Sequence, residues 1–423
     1  MTLLVILVAL LFFYGLASAW FERTVITAPI VFTAAGMCLL VVVPSLGERQ
    51  GSLEILLRLA EAGLVLLLFT DASHTDLKVL KSIRSLPARL LSTGMLLTIL
   101  VGGLGALVLF RALAIWEAGV LAAILAPTDA GLGQVIVSSP RVPTAIRQAL
   151  NVEAGLNDGL SVPFLLFFAA LAETGGRGGE VHLSRFLVEQ LGFGAAIGLL
   201  IGLIGGWLLG LADRKKSMAP SFRQVCVVAL PLLCAVASEA TGASMFIAAF
   251  VAGLAVQVFF KEAGAESVEF TEQWGQLLNL SVFFLFGLLV ARSWPHFTGA
   301  MLVYAAFSLT AVRMLPVALA LVGTRLSRAS VLFMGWFGPR GLASIVLGLV
   351  YLEREAHLPG EDTIRLTVMA TVLISIFAHG STAMPGIRLY AARIAGLDPG
   401  APEFQASLAS GAVRPAPMAA QHP

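Results

Sequence analysis

Long apolar segments recur along almost the whole chain, and they constrain its fold more than any other feature. Of its 423 residues, 58% are hydrophobic and 12% are charged, whereas about a quarter of the residues in soluble domains are charged. An apolar stretch of about 18 residues or more is long enough to cross a bilayer as a helix. The sequence therefore predicts an all-α polytopic membrane protein in contact with lipid.

The apolar segments divide into thirteen predicted spans, and they leave no room for a soluble domain between them. The apolar start lacks the basic residues of a cleavable signal, so we assign it as the first helix. The predicted spans are 2–20, 27–45, 53–73, 86–110, 115–138, 144–172, 186–212, 221–239, 243–260, 272–292, 298–322, 329–352 and 363–386.

Charge and composition outside the spans predict the orientation and the ends of the membrane domain. Lys and Arg concentrate in alternate loops, as in 78–89 and 214–223. By the positive-inside rule this places the N-terminus outside and the C-terminus in the cytoplasm of a cell (plasma or inner) membrane. The membrane domain is predicted to cover 1–395, and the Pro-, Ala- and Ser-rich residues 396–423 are predicted to be a disordered cytoplasmic tail. The net charge of +2 gives no reason to expect a nucleic-acid partner.

The fifth predicted span contains an ionisable residue at membrane depth, in the stretch ILAPTDAGLGQ. Asp129 follows Thr128 there, and Pro127 removes a backbone donor and frees a carbonyl. Irregular backbone at this depth is tolerated where it lines protein or a water-filled cavity. A carboxylate, a hydroxyl and free carbonyls form a set of hard oxygens, which suits Na⁺ or a proton. A kinked helix with a paired Asp129 is the structural alternative.

The sixth predicted span carries two carboxylates, in NVEAGLNDG. Glu153 and Asp158 point about 140° apart on a helical wheel, so they cannot form one clamp. We expect Asp158, with Asn157 beside it, to face the Asp129 site. We expect Glu153 to face another helix and to pair with Arg340, which is central in its own span. Arg313 has no partner that the sequence identifies.

The two interrupted spans have corresponding positions in the two halves of the chain. The fifth span breaks at APTDAG and the twelfth at GPRG. The twelfth is seven spans after the fifth, and because successive spans alternate in direction, the two cross the membrane in opposite directions. Broken helices in corresponding positions indicate inverted repeats that build a binding site near the midplane. We predict repeats over about 1–172 and 221–386, joined by a linker helix over 186–212.

These motifs together resemble one known family. APTDA followed by NVEAGLNDG, with FGPRGLAS near the end, is similar to the NhaP-type branch of the monovalent cation/proton antiporters, to which the animal sodium/proton exchangers are related. The resemblance covers residues from about 1 to 390 and includes the thirteen-helix, NhaA/NhaP-like architecture. It implies a homodimer in which a mobile core carries the ion past a fixed dimerisation domain.

The resemblance also assigns roles to residues. The family's Asn-Asp pair falls on Asn157 and Asp158, and its Thr-Asp pair falls on Thr128 and Asp129. From the residues themselves we expect Na⁺ to bind at Asp158, Asp129 and Thr128. The family's acidic residue near the end of the third helix falls on Asp71, and its structural ion pair on Glu153 and Arg340. In relatives, the Asn-Asp version accompanies electroneutral one-for-one exchange.

One departure from the family pattern bears on ion binding. The family commonly has Ser after the Glu of the sixth helix, where this chain has Ala154. One oxygen ligand is then missing, and it must come from water, Thr128 or a backbone carbonyl.

The expected function is secondary transport without enzymatic chemistry and without a cofactor. Na⁺, and also Li⁺, would exchange for H⁺ by competing with the proton for Asp158 and Asp129 in an alternating-access cycle. K⁺/H⁺ exchange is the alternative, and an ion-binding membrane sensor without transport is the alternative from another class. His379 in the last span is interpreted as a helix-packing residue, with pH sensing as the alternative.

Overall fold

The computed structural model describes residues 2–21, 24–42, 50–74, 85–173, 188–261, 263–351, 358–398 and 400–404. Every regular element within these residues is helical, which confirms the predicted fold class. Eight helical stretches of this part of the chain are long and apolar enough to cross a membrane by length and composition, and three shorter apolar helices accompany them. The count of thirteen spans stays a prediction.

Within the described residues, the first half of the chain forms eight α-helices. Two π-helical turns, Leu90–Gly94 and Val188–Phe193, precede the fifth and the ninth helix. The eight are α1 (Thr2–Phe21), α2 (Ala28–Val42), α3 (Gln50–His74), α4 (Ser85–Arg89), α5 (Met95–Leu109), α6 (Ile115–Ile124), α7 (Ala130–Val137) and α8 (Thr144–Glu173).

The described part of the second half forms nine more α-helices. They are α9 (Gly194–Arg214), α10 (Pro220–Thr241), α11 (Met245–Val256), α12 (Ala263–Ser293), α13 (Gly299–Leu309), α14 (Ala311–Ala320), α15 (Arg328–Trp336), α16 (Leu342–Ile345) and α17 (Glu361–Ile394). A π-helical turn, Val346–Tyr351, continues α16, and a short 3₁₀ turn, Pro402–Phe404, follows α17.

The helices pack in two groups that share one boundary. In the first, which we call the scaffold group, α1 to α3 and α9 to α12 pack mainly against one another. In the second, the crossing group, α4 to α8 and α13 to α17 do the same. The boundary is formed mainly by α2, α3, α11 and α12 on the scaffold side and by α8, α16 and α17 on the crossing side. Residues of both groups therefore meet where α3 and α12 face the crossing helices.

Two spans are interrupted, as the proline and glycine motifs predicted. The chain leaves helical geometry between α6 and α7 and again between α15 and α16. Each span is thus two half-helices, and the backbone groups at the four inner ends need partners other than those of a continuous helix. The two breaks face each other inside the crossing group, where Asp129 N donates to Pro339 O over 2.8 Å.

The tail differs in part from the prediction of disorder over 396–423. Pro402–Phe404 form a 3₁₀ turn, and Glu403 is buried with only 1% of its surface exposed. Its Oε1 accepts hydrogen bonds from Ser327 N and Ser330 Oγ, both 2.8 Å away, at the start of α15. The prediction is wrong for this turn, because a carboxylate at a helix N-terminus gives the segment a specific docking place. Residues 405–423 lie outside the described part of the chain.

Candidate functional site

The first break ends at Asp129, which begins α7. Its backbone is extended (φ −80°, ψ 120°), and its Oδ1 accepts a hydrogen bond from Leu132 N over 2.7 Å. This is the geometry of an Asp N-cap, in which the side chain satisfies a backbone donor that lacks a helical partner. The local sequence favours it, because Pro127 disrupts the preceding helix and Asp is a preferred capping residue.

Asp129 also caps the half-helix of the other break. Its Oδ2 accepts from Leu342 N over 2.6 Å, at the start of α16. Gly341 permits this approach, because a Cβ there would lie 2.2 Å from Asp129 Oδ2. One carboxylate thus joins the N-termini of α7 and α16. A carboxylate at this position interacts favourably with the positive ends of both helix dipoles.

Arg340 makes the reciprocal contact at the first break. Its Nη1 donates to Ala126 O over 2.6 Å and to Pro127 O over 2.8 Å, two carbonyls of the break that follow the C-terminus of α6. Its backbone N donates to Ser375 Oγ over 2.7 Å, and the residue is fully buried. A cation at the C-terminal carbonyls of a half-helix complements the negative end of the helix dipole.

The predicted ion pair between Glu153 and Arg340 is wrong. Glu153 instead accepts two hydrogen bonds from Arg313 of α14, with Nη1–Oε1 and Nη2–Oε2 distances of 2.5 and 2.9 Å. Both side chains are nearly inaccessible to solvent. Gly338 makes room for the guanidinium, because a Cβ there would lie 2.2 Å from Arg313 Nε. The sequence indicated that Glu153 needs a buried cation, but two arginines were central in their spans and only packing chooses between them.

Asn157 and Asp158 lie in the middle of α8, and both are buried. Asn157 Nδ2 donates to Thr128 Oγ1 over 2.8 Å, which joins α8 to the first break. Within the described residues, the Oδ1 atoms of Asn157 and Asp158 are buried and have no hydrogen-bond partner. Asp158 lies close enough to Asp129, Asp71 and Arg340 to interact with their charges. The structure thus groups four of the five predicted ion-site residues, Asp158, Asp129, Thr128 and Asn157, around the break.

Asp71 approaches this group from the scaffold side. It lies near the end of α3, and its Cβ lies 3.3 Å from the position that a Cβ on Gly155 would occupy. Its charge interacts with that of Asp129 and Asp158. Gly155 therefore allows α3 and α8 to pack closely at the boundary, with Asp71 beside the middle of α8.

A cavity leads to the first break. The cavity is open to solvent, and the space in it and at its mouth amounts to about 300 Å³. It is lined on α8 by Leu150 and Ala154, and Asp158 lies one helical turn beyond Ala154. The remaining lining residues extend from the two breaks to the last turn of α7, on the side of the 138–143 loop: Thr128, Asp129, Ala130, Gly133, Ile136, Val137, Phe337 and Pro339.

His379 has the packing environment expected of a structural histidine. Its Nε2 lies 2.9 Å from Trp336 O, and its Nδ1 lies 2.9 Å from Ser375 O and 3.1 Å from Ser375 Oγ. Ser375 Oγ also accepts from Arg340 N, so His379 packs against the serine that holds the backbone of the second break. It contributes to the position of Arg340.

Two polar residues near the site were missed or left unassigned by the sequence analysis. Arg313 was seen as an isolated charge, although it is the partner of Glu153. Asn279 on α12 was not considered, yet its Nδ2 lies 2.9 Å from the Cβ position of Gly131, beside Asp129. Asn279 could have been identified in the sequence as a polar amide inside an apolar span. Because it carries no charge, it is not among the ionisable residues at membrane depth.

Comparison with known proteins gives relatives that match part of this sequence. The chain is 27% identical over 302 residues to a probable Na⁺/H⁺ antiporter of Schizosaccharomyces pombe, covering 63% of this chain and 39% of that protein. It is 26% identical over 282 residues to the K⁺/H⁺ antiporter NhaP2 of a Shewanella species, covering 65% of this chain and 47% of that protein. The chain thus matches less than half the length of these relatives.

A solved structure and a family model complete the comparison. The structure of the sodium proton antiporter MjNhaP1 from Methanocaldococcus jannaschii at pH 8 superposes with a TM-score of 0.74 at 20% identity, covering 92% of this chain and 97% of that one. This likeness confirms the NhaP-type antiporter fold. The model described as "Sodium/hydrogen exchanger, transmembrane" matches residues 6–387. The chain is therefore a multi-pass membrane protein that belongs to the sodium/hydrogen exchanger family.

Proposed function

We propose that this protein exchanges a monovalent cation, Na⁺ and also Li⁺, for H⁺ across a cell membrane. The observation that carries the proposal is the buried carboxylate of Asp158, whose Oδ1 has no hydrogen-bond partner in the described structure and which lies near two further carboxylates. Family membership and the Na⁺/H⁺ antiporter relative support the same activity.

Coupling follows from competition for Asp158. A charged carboxylate at membrane depth is costly unless it is neutralised. A proton neutralises it covalently, and a cation neutralises it by coordination, but the two cannot occupy the same oxygens together. The neutralised site crosses the membrane in either form, whereas the empty charged site does not. Each crossing with a cation is then balanced by a return with a proton.

The ligands proposed for the cation are oxygens that the structure holds around the first break. Asp158 Oδ1 and Asn157 Oδ1 are without partners in the described residues, and Thr128 and Asp129 line the cavity. Asn157 and Thr128 are neutral ligands, and their mutual hydrogen bond fixes their positions. Asp71 is proposed to contribute negative charge from the scaffold group.

We propose one-for-one, electroneutral exchange. The position before Asp158 is an amide, Asn157, so it cannot release a second proton. Asp129 accepts one backbone hydrogen bond on each of its oxygens in this conformation, which gives it the structural role of capping the two half-helices. Asp158 is then the single group that alternates between proton and cation.

K⁺/H⁺ exchange is the second candidate for the ion. One relative is named a K⁺/H⁺ antiporter, and Ala154 lines the cavity with a methyl group where the family commonly has an oxygen. With fewer fixed oxygens, the site discriminates less strongly in favour of Na⁺, the smaller ion, over K⁺. Na⁺ remains the first choice, because the relative named a Na⁺/H⁺ antiporter matches the chain at slightly higher identity.

The alternating-access cycle is proposed to move the crossing group against the scaffold group. Both breaks and Asp158 lie in the crossing group, and the cavity lies beside the 138–143 loop, on the side that we assign to the cytoplasm. The structure then corresponds to an inward-facing conformation. The scaffold group is proposed to form a homodimer, which cross-linking of the protein in membranes would test by the appearance of a two-chain species.

The decisive experiment uses purified protein in liposomes that carry an imposed pH gradient and a pH-sensitive dye. Addition of Na⁺ or Li⁺ is expected to collapse the gradient, at a rate that does not change when an ionophore clamps the membrane potential. Faster collapse with K⁺ than with Na⁺ would select the K⁺/H⁺ candidate. Cation binding without any collapse would identify a sensor and contradict transport.

A further inference from the structure

An amide of the scaffold group faces the cation site across the boundary between the two groups. Asn279 lies in α12, and its Nδ2 lies 2.9 Å from the position that a Cβ on Gly131 would take. Asp129 Oδ1 lies 3.2 Å from the same point. The amide of one group and the carboxylate of the other therefore border the same small space, which exists because residue 131 has no side chain.

The oxygen of this amide, Asn279 Oδ1, is buried and has no hydrogen-bond partner among the described residues. Leaving a buried acceptor without a partner is unfavourable by about 1–3 kcal/mol, so a bound group that interacts with this oxygen would recover that free energy. Asn157 Oδ1 and Asp158 Oδ1 of α8 are likewise buried and without a hydrogen-bond partner among the described residues. All three are hard oxygens of the kind that bind alkali cations.

The position of Asn279 also suits a change of partner. A half-turn of the amide about its last side-chain bond exchanges its N–H and C=O ends within the same space. The N–H end can face the Asp129 carboxylate while no cation is bound, and the C=O end can face a cation that has bound beside Asp129. Either end is neutral, so the charge of the site is set by its carboxylates alone.

We propose that Asn279 is a ligand and specificity-determining residue for the transported cation, contributed by the scaffold group. Its amide oxygen coordinates the ion beside Asp129 and replaces the one oxygen that Ala154 does not supply. Because Asn279 lies outside the crossing group, it contacts the ion only while the site faces this part of the boundary. This inference rests on the proposed cation/proton exchange.

The test compares Asn279→Ala and Asn279→Leu with the wild-type protein in the liposome assay, over a range of Na⁺, Li⁺ and K⁺ concentrations. Both variants are expected to raise the KM for Na⁺ on the order of tenfold, as the loss of one ligand to a charged group implies, with a smaller effect on kcat. The ratio of the KM values for Na⁺ and K⁺ is expected to change. Asn279→Ser, which keeps an oxygen, is expected to recover part of the affinity.

Leu distinguishes a ligand from a packing residue, since it fills a similar volume without an acceptor. A wild-type KM in Asn279→Leu would overturn the proposal. Ser281→Ala on the same helix is the matched control, because Ser281 Oγ is exposed and donates to Leu277 O. It is expected to leave the KM unchanged, and an equal rise in this control would also overturn the proposal.

The two levels of inference fail in different ways. Absence of exchange in the wild-type protein with every cation would contradict the proposed function and this inference together. Exchange by the wild-type protein with unaltered affinity and selectivity in both Asn279→Ala and Asn279→Leu would overturn only the role of Asn279. Na⁺-dependent thermal stabilisation of the purified protein, reduced in Asn279→Leu, is the expected second measurement and needs no transport.

Discussion

Asp129 and Asp158 are both buried aspartates of the crossing group, but their surroundings differ. Asp129 accepts hydrogen bonds from Leu132 N and Leu342 N, so both of its oxygens are occupied by backbone donors. Asp158 Oδ1 has no such partner within the described residues. The first carboxylate holds two half-helices together, and the second has an oxygen free for a proton or a cation. A shared residue type in one site therefore does not mean a shared role.

The largest expected effect comes from removing the charge of Asp158. Asp158→Asn keeps the size of the side chain but can neither release a proton nor supply a charged ligand. Exchange in liposomes is expected to fall to the level of protein-free vesicles, while the melting temperature of the purified protein stays close to the wild type. Asp362→Asn, at an exposed position, is the control. Retained exchange in Asp158→Asn would refute the site.

The next effect tests the ion pair between Glu153, which is on the same helix as Asp158, and Arg313 of α14. Arg313→Ala leaves Glu153 as a buried, unpaired charge, which is expected to destabilise the protein by about 3–5 kcal/mol. Replacing both partners, as in Glu153→Leu with Arg313→Met, is expected to restore most of the stability, because no charge is left without a partner. Thermal unfolding in detergent measures both. A double variant that is less stable than Arg313→Ala would contradict the pairing.

Asp129 is expected to respond differently from Asp158. Asp129→Ala removes the acceptor for two backbone donors, at a cost of about 1–3 kcal/mol for each buried group left unpaired. Exchange and stability are therefore expected to fall together. Asp129→Asn, which can still cap a helix, is expected to retain more stability than Asp129→Ala. Equal melting temperatures for Asp129→Ala and wild type would show that the double cap contributes nothing.

A smaller effect, on the KM for Na⁺, is expected from changing Ala154 in the cavity wall. Ala154→Ser adds a hydroxyl oxygen where the cavity approaches Asp158, and one additional ligand is expected to lower the KM for Na⁺ by about 3- to 10-fold. Ala154→Cys has a similar size but a soft donor, so it is the control. If both variants lower the KM equally, the gain comes from cavity volume and not from coordination.

The smallest effect concerns the contact between Glu403 of the tail and the start of α15. Burial raises the pKa of Glu403, but the hydrogen bonds from Ser327 and Ser330 outweigh it and keep the pKa below its ordinary value of 4.5. Docking of the tail on α15 is then stabilised above pH 4.5, and this contribution is lost as the pH falls through the lowered pKa. Glu403→Ala is expected to lower stability by about 1 kcal/mol at neutral pH and to show less difference from wild type in acid. A constant difference between the two proteins down to pH 3 would contradict this coupling.

The residues around the first break were predictable because each carries a local physical signal. Pro127 predicts an interruption, and a carboxylate in an apolar span predicts a site. Helical spacing also correctly separated the directions of Glu153 and Asp158. The partner of Glu153 was not predictable in the same way, because the choice between Arg313 and Arg340 depends on which helices face α8. Asn279 and Glu403 were missed, since an amide in a span and an acid in a polar tail have no distinctive pattern.

The sequence by itself determined the class of the protein, the two interrupted spans and the set of polar residues that must find partners inside the membrane. These follow from the cost of placing unpaired charges and open backbone in hydrocarbon. Only the tertiary structure decided which partner each group has: Arg313 for Glu153, two backbone donors for Asp129, and none within the described residues for Asp158 Oδ1. The physical reason is that burial fixes the need for a contact, whereas the packing of distant helices fixes its identity.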